Sequence, residues 1–188
     1  MLPLLIILLA IGLVPTLWFV VQYNSLVGLR NSIAESWSNV DTELKRRYDL
    51  IPNLVATVKG YVAHEREVLA RVVELRNRCA DNHGPVAEQA RDEGQLVDAL
   101  KRLFVLVESY PQLKADQHFL KLQGELINTE NRLQAARRFY NGNVRDYRNK
   151  CQSFPSNLVA GMFNFPPHDF FSVPPSVAEV PNVEFGGA

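Results

Sequence analysis

The residues best placed to bind a metal form the run His64-Glu65-Arg66-Glu67. Di-iron sites in helical bundles use two Glu-x-x-His pairs that face inward. Here a His and a Glu stand three apart in the reverse order, and the run occurs once. A metal site in a helical core around His64, Glu65 and Glu67 is therefore a secondary hypothesis, and we expect no bound metal and no cofactor.

Nucleophilic catalysis and phosphate binding have no matching motif. Cys79 and Cys151 are far apart and form no C-x-x-C pair, so packed thiols are favoured over a disulfide or a zinc site. The sequence contains neither G-x-S-x-G nor G-x-x-x-x-G-K, the signatures of a nucleophile elbow and a phosphate loop. We therefore expect no catalytic residues and a protein that is not an enzyme.

A basic cluster, Lys45-Arg46-Arg47, is the strongest local charge feature. Cations near an anionic bilayer gain about 1 kcal/mol each, which would suit a lipid headgroup or an acidic partner. Cations also suit the negative end of a helix dipole, and a charged outer face at a helix end is the favoured interpretation. Tyr48 and Asp49 are then predicted to cap or latch a turn before Pro52.

The overall charge balance argues against a nucleic-acid surface. Of the 188 residues, 20 are Lys or Arg and 20 are Asp or Glu, so the formal net charge is zero. Proteins that bind nucleic acid usually carry an excess of positive charge on one face. We expect no nucleic-acid partner.

The stretch from Leu2 to Val21 is apolar and uncharged. About 20 helical residues at 1.5 Å each match the ~30 Å hydrocarbon core of a bilayer. Trp18 and Tyr23 suit its interface, and the absence of a basic start and a cleavage site favours a retained anchor over a signal peptide. Because Arg30 and the basic cluster follow the span, we predict a single-pass protein of the cell (inner) membrane. Its N-terminus would lie outside and its body in the cytoplasm.

Apolar residues then recur at helical spacing on both sides of Pro52. The first stripe includes Leu26, Leu29, Ile33, Trp37, Val40, Leu44 and Tyr48, and the second runs from Leu54 to Leu75. Pro52 either kinks one helix or separates two. An unbroken helix from Leu26 to Cys79 would be about 80 Å long, more than the later helices could cover. We therefore favour a break or sharp bend near Pro52.

Two further helices are predicted, from Val86 to Ser109 and from about Leu113 to Gln152, the second with a stripe that includes Ile127 and Phe139. The wet face of the first is predicted to hold Asp92, Glu93, Asp98, Lys101 and Arg102. A short turn at 157–162 follows. The remaining aromatic and Pro-rich chain cannot be helical and is too apolar for an ordinary disordered tail. We expect it to lie extended over the bundle, over a neighbour or near the bilayer surface, with Val180–Phe185 as a docking segment.

Several motifs resemble the LemA family over nearly the whole chain. The resemblance is carried by the apolar anchor, Tyr23-Asn24-x-x-Val27-x-x-Arg30-Asn31, Trp37-Ser38-Asn39-Val40-Asp41, Leu44-Lys45-Arg46-Arg47-Tyr48-Asp49-Leu50-Ile51-Pro52-Asn53-Leu54-Val55, Val58-Lys59-Gly60-Tyr61, Glu108-Ser109-Tyr110-Pro111-x-Leu113-Lys114-Ala115 and Glu130-x-x-Leu133-x-x-x-Arg137-x-x-Tyr140-Asn141-x-x-Val144-x-x-Tyr147. It implies a single-pass membrane protein with an antiparallel up-and-down four-helix bundle, which supports a break near Pro52. It brings no catalytic residues with it.

The sequence thus predicts an all-α protein with an anchor at 1–22, a helical bundle at 23–153, and a short helix with an extended tail at 154–188. Its predicted role is a membrane-anchored scaffold or adaptor that acts through protein contacts or self-assembly. Its partners would be the bilayer, through residues 2–21, and a second copy or another protein. The candidate interaction residues are Lys45, Arg46, Arg47, Tyr48, Asp49, Pro52 and Trp37. The alternatives are a membrane-surface sensor that binds anionic lipid and a metal-binding bundle.

Overall fold

The computed structural model describes residues 2–62 and 65–173, and these residues form helices and connecting turns without a strand. The helices are α1 (Leu2–Lys59), α2 (Arg66–Asp81), α3 (Val86–Val107), α4 (Pro111–Lys114), α5 (Gln117–Gln152) and α6 (Ser156–Met162). The prediction of an all-α protein with an N-terminal apolar helix is confirmed.

Helix α1 continues through Pro52 to Lys59, so the predicted break at Pro52 is wrong. The helix ends at Lys59-Gly60 instead, where the amides of Gly60 and Tyr61 bond to the carbonyls three residues earlier, at 3.3 and 3.0 Å. A basic residue followed by glycine is a common signal for a helix end. The helix thus stops before Cys79, but seven residues beyond Pro52.

Residue contacts group the chain into two units. Of the described residues, 2–44 and 130–170 belong to the first unit, and 45–62, 65–129 and 171–173 belong to the second. The predicted domain limits after residues 22 and 153 stay predictions.

The core of the second unit is a set of aliphatic side chains at helical spacing. The last turns of α1 bury Ile51, Leu54 and Val58; α2 buries Leu69, Val72, Leu75 and Cys79; α3 buries Leu96, Leu100, Leu103 and Val107. From α5, Phe119 is buried and its ring lies 6.4 Å from that of Phe104. Burial of one such side chain contributes about 1.5–3 kcal/mol. Ile127, in the predicted stripe of α5, is exposed because its neighbour Leu126 takes the core position.

In the first unit, α1 and α5 contribute the buried residues Ile33, Val40, Leu44, Leu133, Tyr140, Val144 and Tyr147. The ring of Trp37 lies 5.3 Å from that of Tyr140, and the side-chain amide of Asn143 donates to the Ser32 carbonyl at 3.1 Å. Most of the first predicted stripe is therefore core. Phe139, predicted to join the core, is 63% exposed because the adjacent Tyr140 faces inward.

After α6 the chain runs extended along α5. The hydroxyls of Tyr140 and Tyr147 donate to the carbonyls of Asp169 and Pro166, at 2.9 and 2.8 Å. The Arg148 Nε donates to the His168 carbonyl at 3.0 Å. The expectation of an extended segment over the helices is confirmed as far as Phe170, whose ring lies 4.7 Å from the Arg148 guanidinium. The predicted docking segment Val180–Phe185 lies outside the described residues.

Helix α6 ends in a left-handed turn at Asn164, where φ is +48°. The amide of Phe165 bonds to the Ala160 carbonyl at 3.1 Å, and that of Asn164 to the Gly161 carbonyl at 3.4 Å. This pair of bonds is a Schellman motif, in which the left-handed residue is usually Gly or Asn. The turn brings Phe165 back onto the cluster formed by Leu26, Val159 and Ala160.

Replacing Asn164 tests this turn. Asn164→Val should lower the free energy of unfolding by about 1–2 kcal/mol, since a β-branched residue is strained at positive φ, whereas Asn164→Gly should be nearly neutral. Denaturant titration of the full chain in detergent measures both. Asn157→Val, at an exposed position of α6, is the control for adding a branched side chain. Equal stability of Asn164→Val and Asn164→Gly would contradict the assigned turn.

Candidate functional site

The predicted interaction residues do not form one surface. Lys45, Arg46, Asp49 and Pro52 are exposed on α1, whereas Arg47 and Tyr48 are buried. Trp37 belongs to the first unit and is half-buried against Tyr140. The basic cluster therefore lies inside a helix rather than at its end, and one of its three cations faces the core.

Arg47 and Glu93 form a buried ion pair between α1 and α3. Arg47 is 1% exposed and Glu93 is 2% exposed. The Tyr48 hydroxyl also donates to the Glu93 carboxylate, so two adjacent residues of α1 hold one acidic group. Because a buried charge is costly unless it is paired, this arrangement fixes which faces of α1 and α3 meet. The prediction that Glu93 lies on the wet face of its helix is wrong.

Pro52 creates a second polar link, between α1 and α2. Proline has no amide hydrogen, so inside a helix the carbonyl four residues earlier loses its donor. That carbonyl belongs to Tyr48, and it accepts a hydrogen bond from Arg76 Nε at 3.0 Å. The predicted roles of Tyr48 and Asp49 as caps of a turn are wrong, because the chain does not turn there.

We call Arg47, Tyr48, Pro52, Arg76 and Glu93 the polar clamp. Together these residues link α1 to both α2 and α3 within the second unit. Residues 47, 48 and 52 stand within two turns of α1, so one short segment selects both neighbouring helices. The polar groups of the clamp are bonded to one another, and these bonds hold α1 against α2 and α3.

Cys79 of α2 is a buried free thiol close to this clamp. Burial raises the pKa of Cys79 to about 11, and the positive charge of Arg47 opposes part of that rise. The thiol is therefore protonated at neutral pH, and thiolate chemistry is suppressed because the thiolate is the reactive form. Cys79 behaves as a packed apolar group, as its sequence position suggests.

Two tyrosine–carboxylate bonds hold the turn after α1. The Tyr61 hydroxyl donates to Asp116 Oδ2 at 2.9 Å, and the Tyr110 hydroxyl donates to Glu65 Oε1 at 2.6 Å. Asp116 also caps α5, since the Phe119 amide donates to its Oδ1 at 2.8 Å. These hydrogen bonds lower the pKa of Asp116, and the bond from the Phe119 amide has a larger effect than the bond from Tyr61.

The metal hypothesis involves residues that the structure describes only in part. Glu65 accepts the bond from Tyr110, Glu67 is exposed, and His64 lies outside the described residues. Among residues 2–62 and 65–173, no three His, Cys, Asp or Glu side chains are grouped closely enough to hold a metal ion.

Sequence reasoning missed Glu93, Arg76 and Asp116. Glu93 had a detectable signal, because it stands three residues after Ala90 and three before Leu96, within the apolar stripe of α3. Asp116 follows a Pro-containing turn and precedes a helix, which is a typical N-cap position. The sequence around Arg76 does not indicate its role, because its acceptor, the Tyr48 carbonyl, is available only through Pro52 of another helix.

Comparison with known proteins places these features in a family context. The chain matches the family model described as the LemA family over residues 36–185, which include the polar clamp. Protein LemA of Metamycoplasma hominis is 25% identical, with 76% of this chain and 65% of that protein covered.

Magnetosome proteins are also similar. Magnetosome protein MamQ 2 of Paramagnetospirillum magneticum is 23% identical over 82% of this chain and 66% of that protein. Magnetosome protein MamQ of Magnetospirillum gryphiswaldense is 22% identical with the same coverage, 82% and 66%. The chain thus spans slightly less than two thirds of the length of these relatives, 65 to 66%.

Removing Glu93 should strongly destabilise the second unit. Glu93→Leu leaves Arg47 buried without its counter-charge, which typically costs about 3–5 kcal/mol. The double change Arg47→Met with Glu93→Leu should cost less than Glu93→Leu alone, because two apolar groups then face each other. Denaturant titration of the full chain measures both, with exposed Glu88→Leu on α3 as the control. If the costs of Arg47→Met and Glu93→Leu, each measured alone, add up to the cost of the double change, the two residues do not form a direct pair.

The role of Pro52 can be tested by a double-mutant cycle with Arg76. Arg76→Met should cost about 1–3 kcal/mol, since the Tyr48 carbonyl loses its donor. In a Pro52→Ala background the same change should cost less, because the amide of residue 52 can then bond to that carbonyl. Exposed Arg71→Met on α2 is the matched control. If the cost of Arg76→Met is the same in both backgrounds, Arg76 does not replace the missing helix bond.

Proposed function

The chain belongs to the LemA family, and on that premise we propose that it is a membrane-anchored helical scaffold or adaptor. In this role α1 attaches the chain to a membrane, and the helical body binds a partner through an apolar groove. The partner is a second copy of the chain or another protein that presents an apolar helix.

The anchor is supported by the composition and exposure of α1. One helix of the described residues contains a stretch long and apolar enough to cross a bilayer, and it lies near the N-terminus. Val14, Leu17, Val20 and Val21 are all at least half exposed there. Large apolar side chains exposed in succession suit lipid better than water. With Arg30 as the first charged residue after the span, the body lies on the cytoplasmic side of the cell membrane.

The groove between the end of α1 and α2 is the observation that carries the proposal. It has a cavity volume of about 830 Å³ and lies wholly in the second unit. Its lining includes Val55, Val62, Leu69, Ala70 and Val73, with Lys59, Arg66 and Glu74 also lining it. An apolar floor with charged residues around it is the form of groove that accepts the apolar face of an amphipathic helix.

The polar groups of the body favour this role over binding of anionic lipid. Arg47 pairs with Glu93, so the basic cluster presents two exposed cations, Lys45 and Arg46. At about 1 kcal/mol per cation near an anionic surface, two residues give weak attachment. The groove offers an apolar contact surface instead, and a membrane anchor concentrates copies in two dimensions so that modest contacts suffice.

The mass of the full chain in mild detergent tests the proposal. We expect an assembly larger than one chain, held together by burial of the groove. Val73→Lys should reduce the mass towards a single chain, because a charge then lies in the groove. Glu67→Gln changes the net charge by the same amount, because it removes a negative charge from another face of α2, and it should leave the mass unchanged.

The chain without residues 1–22 provides the second comparison. It should assemble through the same groove, but only at higher concentration, since it has lost the concentrating effect of the membrane. A single-chain mass for the wild type in detergent, together with no cross-linked species in native membranes, would contradict the scaffold role.

A further inference from the structure

The first unit carries an apolar surface that has no role in the proposed scaffold. It surrounds α6 and consists of Phe154, Leu158, Met162 and Phe163, which we call the α6 patch. Their side chains are 80%, 57%, 68% and 48% exposed. Single exposed apolar residues are ordinary, but four large ones within ten residues mark a binding surface.

The two faces of α6 are the reverse of those of a water-soluble surface helix. The buried face holds the small or medium side chains Val159 and Ala160, which pack on Leu26 of α1. The outward face holds Leu158 and Met162, which stand one turn apart. A helix that faced water would place its largest apolar side chains inward. The outward face of α6 is therefore unlike that of a helix that faces water.

The α6 patch is continuous with the apolar span of α1. Trp18 and Phe19 pack on the same cluster as Val159 and Ala160. The Phe163 ring lies 5.9 Å from that of Phe19 and 4.7 Å from that of Tyr23. The patch therefore lies beside residues 18–26 of α1, where the predicted span ends.

The charges of the two packed segments show where water begins. Residues 2–29 contain no Asp, Glu, Lys, Arg or His, and neither do residues 151–167. The exposed polar side chains of the second segment are neutral, and they include Ser153, Asn157 and Asn164. Ordinary water-facing surfaces are roughly 25–35% charged. Arg30, the first cation after residues 2–29, lies 5.8 Å from the centre of the Phe165 ring, and Arg148, shortly before the second segment, lies 4.7 Å from that of Phe170.

The dimensions of a bilayer agree with this position. The interfacial layer on each side of the hydrocarbon core is roughly 5–8 Å thick. At 1.5 Å per residue, Leu26 lies about 8 Å of helix beyond Val21, and Arg30 about 13 Å beyond it. Residues 18–26, and α6 beside them, thus cover the edge of the core and the headgroup layer.

We propose that α6 is a second membrane contact, with Phe154, Leu158, Met162 and Phe163 inserted into the bilayer interface next to the point where α1 leaves it. The occupant of the patch is lipid, because the patch continues the surface of the span and shares its lack of charge. The contact is apolar, so it needs no anionic lipid and is insensitive to salt. The inference rests on the anchor in α1 and not on the groove of the second unit.

A fluorescent probe tests the environment of the patch in the full chain. Single cysteines at Met162→Cys and Leu158→Cys, in a background with Cys79→Ala and Cys151→Ala, are labelled with a nitrobenzoxadiazole dye. The labelled chain is reconstituted in phosphatidylcholine vesicles. Asp146→Cys, on the exposed charged stretch of α5, is the matched control. Circular dichroism checks that each labelled chain keeps its helix content.

We expect blue-shifted emission at 158 and 162, with strong quenching by lipids that carry a nitroxide near the headgroup and no change at high salt. The label at 146 should emit as in water and be quenched by aqueous iodide. Water-like emission at both 158 and 162 would overturn the proposal. Blue-shifted emission that nitroxide lipids fail to quench would also overturn it, since another protein surface would then cover the patch.

Flotation of the vesicles after alkaline washing separates this inference from the anchor. If the chain floats while the label at 162 stays in water, α6 is not a membrane contact but α1 is still an anchor. If the chain does not float, the anchor itself is wrong, and the proposed function fails with it.

Discussion

A guanidinium and a carboxylate that are both removed from water must neutralise each other, and Arg47 and Glu93 do so between α1 and α3. Loss of either charge leaves the other uncompensated in a medium of low polarity. The pair therefore discriminates strongly between the native pairing of helices and any pairing that is rotated or shifted by one turn. Aliphatic side chains such as Leu54 and Leu103 stabilise many arrangements, whereas the ion pair with its tyrosine donor stabilises one.

Pro52 adds a constraint of a different kind. A proline inside a helix usually kinks or breaks it, since a hydrogen bond is lost and the ring crowds the previous turn. In this chain the ring is exposed, and the carbonyl that it leaves without a helical donor is bonded to Arg76. The Tyr48 carbonyl, which has no donor within α1, thus becomes a specific hydrogen-bond acceptor for α2. Helix pairing thus accounts for the sequence run around Pro52.

The helical stripes were predictable because they depend only on the spacing of apolar residues along one chain segment. Val40, Leu44 and Tyr48 are buried as their spacing indicates. Which polar residues are buried could not be read in the same way, because burial of a charge depends on its partner. The spacing of Glu93 from Ala90 and Leu96 puts it on the apolar stripe of α3, but its charge argues against burial, and only the position of Arg47 shows why it faces inward. Arg76 depends on the missing amide of Pro52, which is a property of another helix.

The position of the helix end shows the same distinction. Pro52 and Gly60 both interrupt helices in general, and their relative strength depends on whether the lost hydrogen bond is replaced. Arg76 replaces it at Pro52. At Gly60 the chain tightens to bonds three residues apart, and Tyr61 beyond it bonds to Asp116. A rule based on local sequence alone favours Pro52 over Gly60 as the end of the helix. That order is wrong because the deciding contact, the hydrogen bond from Arg76, comes from elsewhere in the chain.

A membrane helix with a single contact can tilt and rotate about its axis, since the hydrocarbon around it is uniform. A second contact on one side removes this freedom, because rotation would lift that contact out of the interface. Helix α6 packs on one side of α1, through Val159 and Ala160 against Leu26. The left-handed turn at Asn164 then returns Phe165 to the same cluster, so the chain that follows α6 is held against it as well. In the proposed membrane contact, α6 thus holds α1 at one rotation about its axis relative to the bilayer.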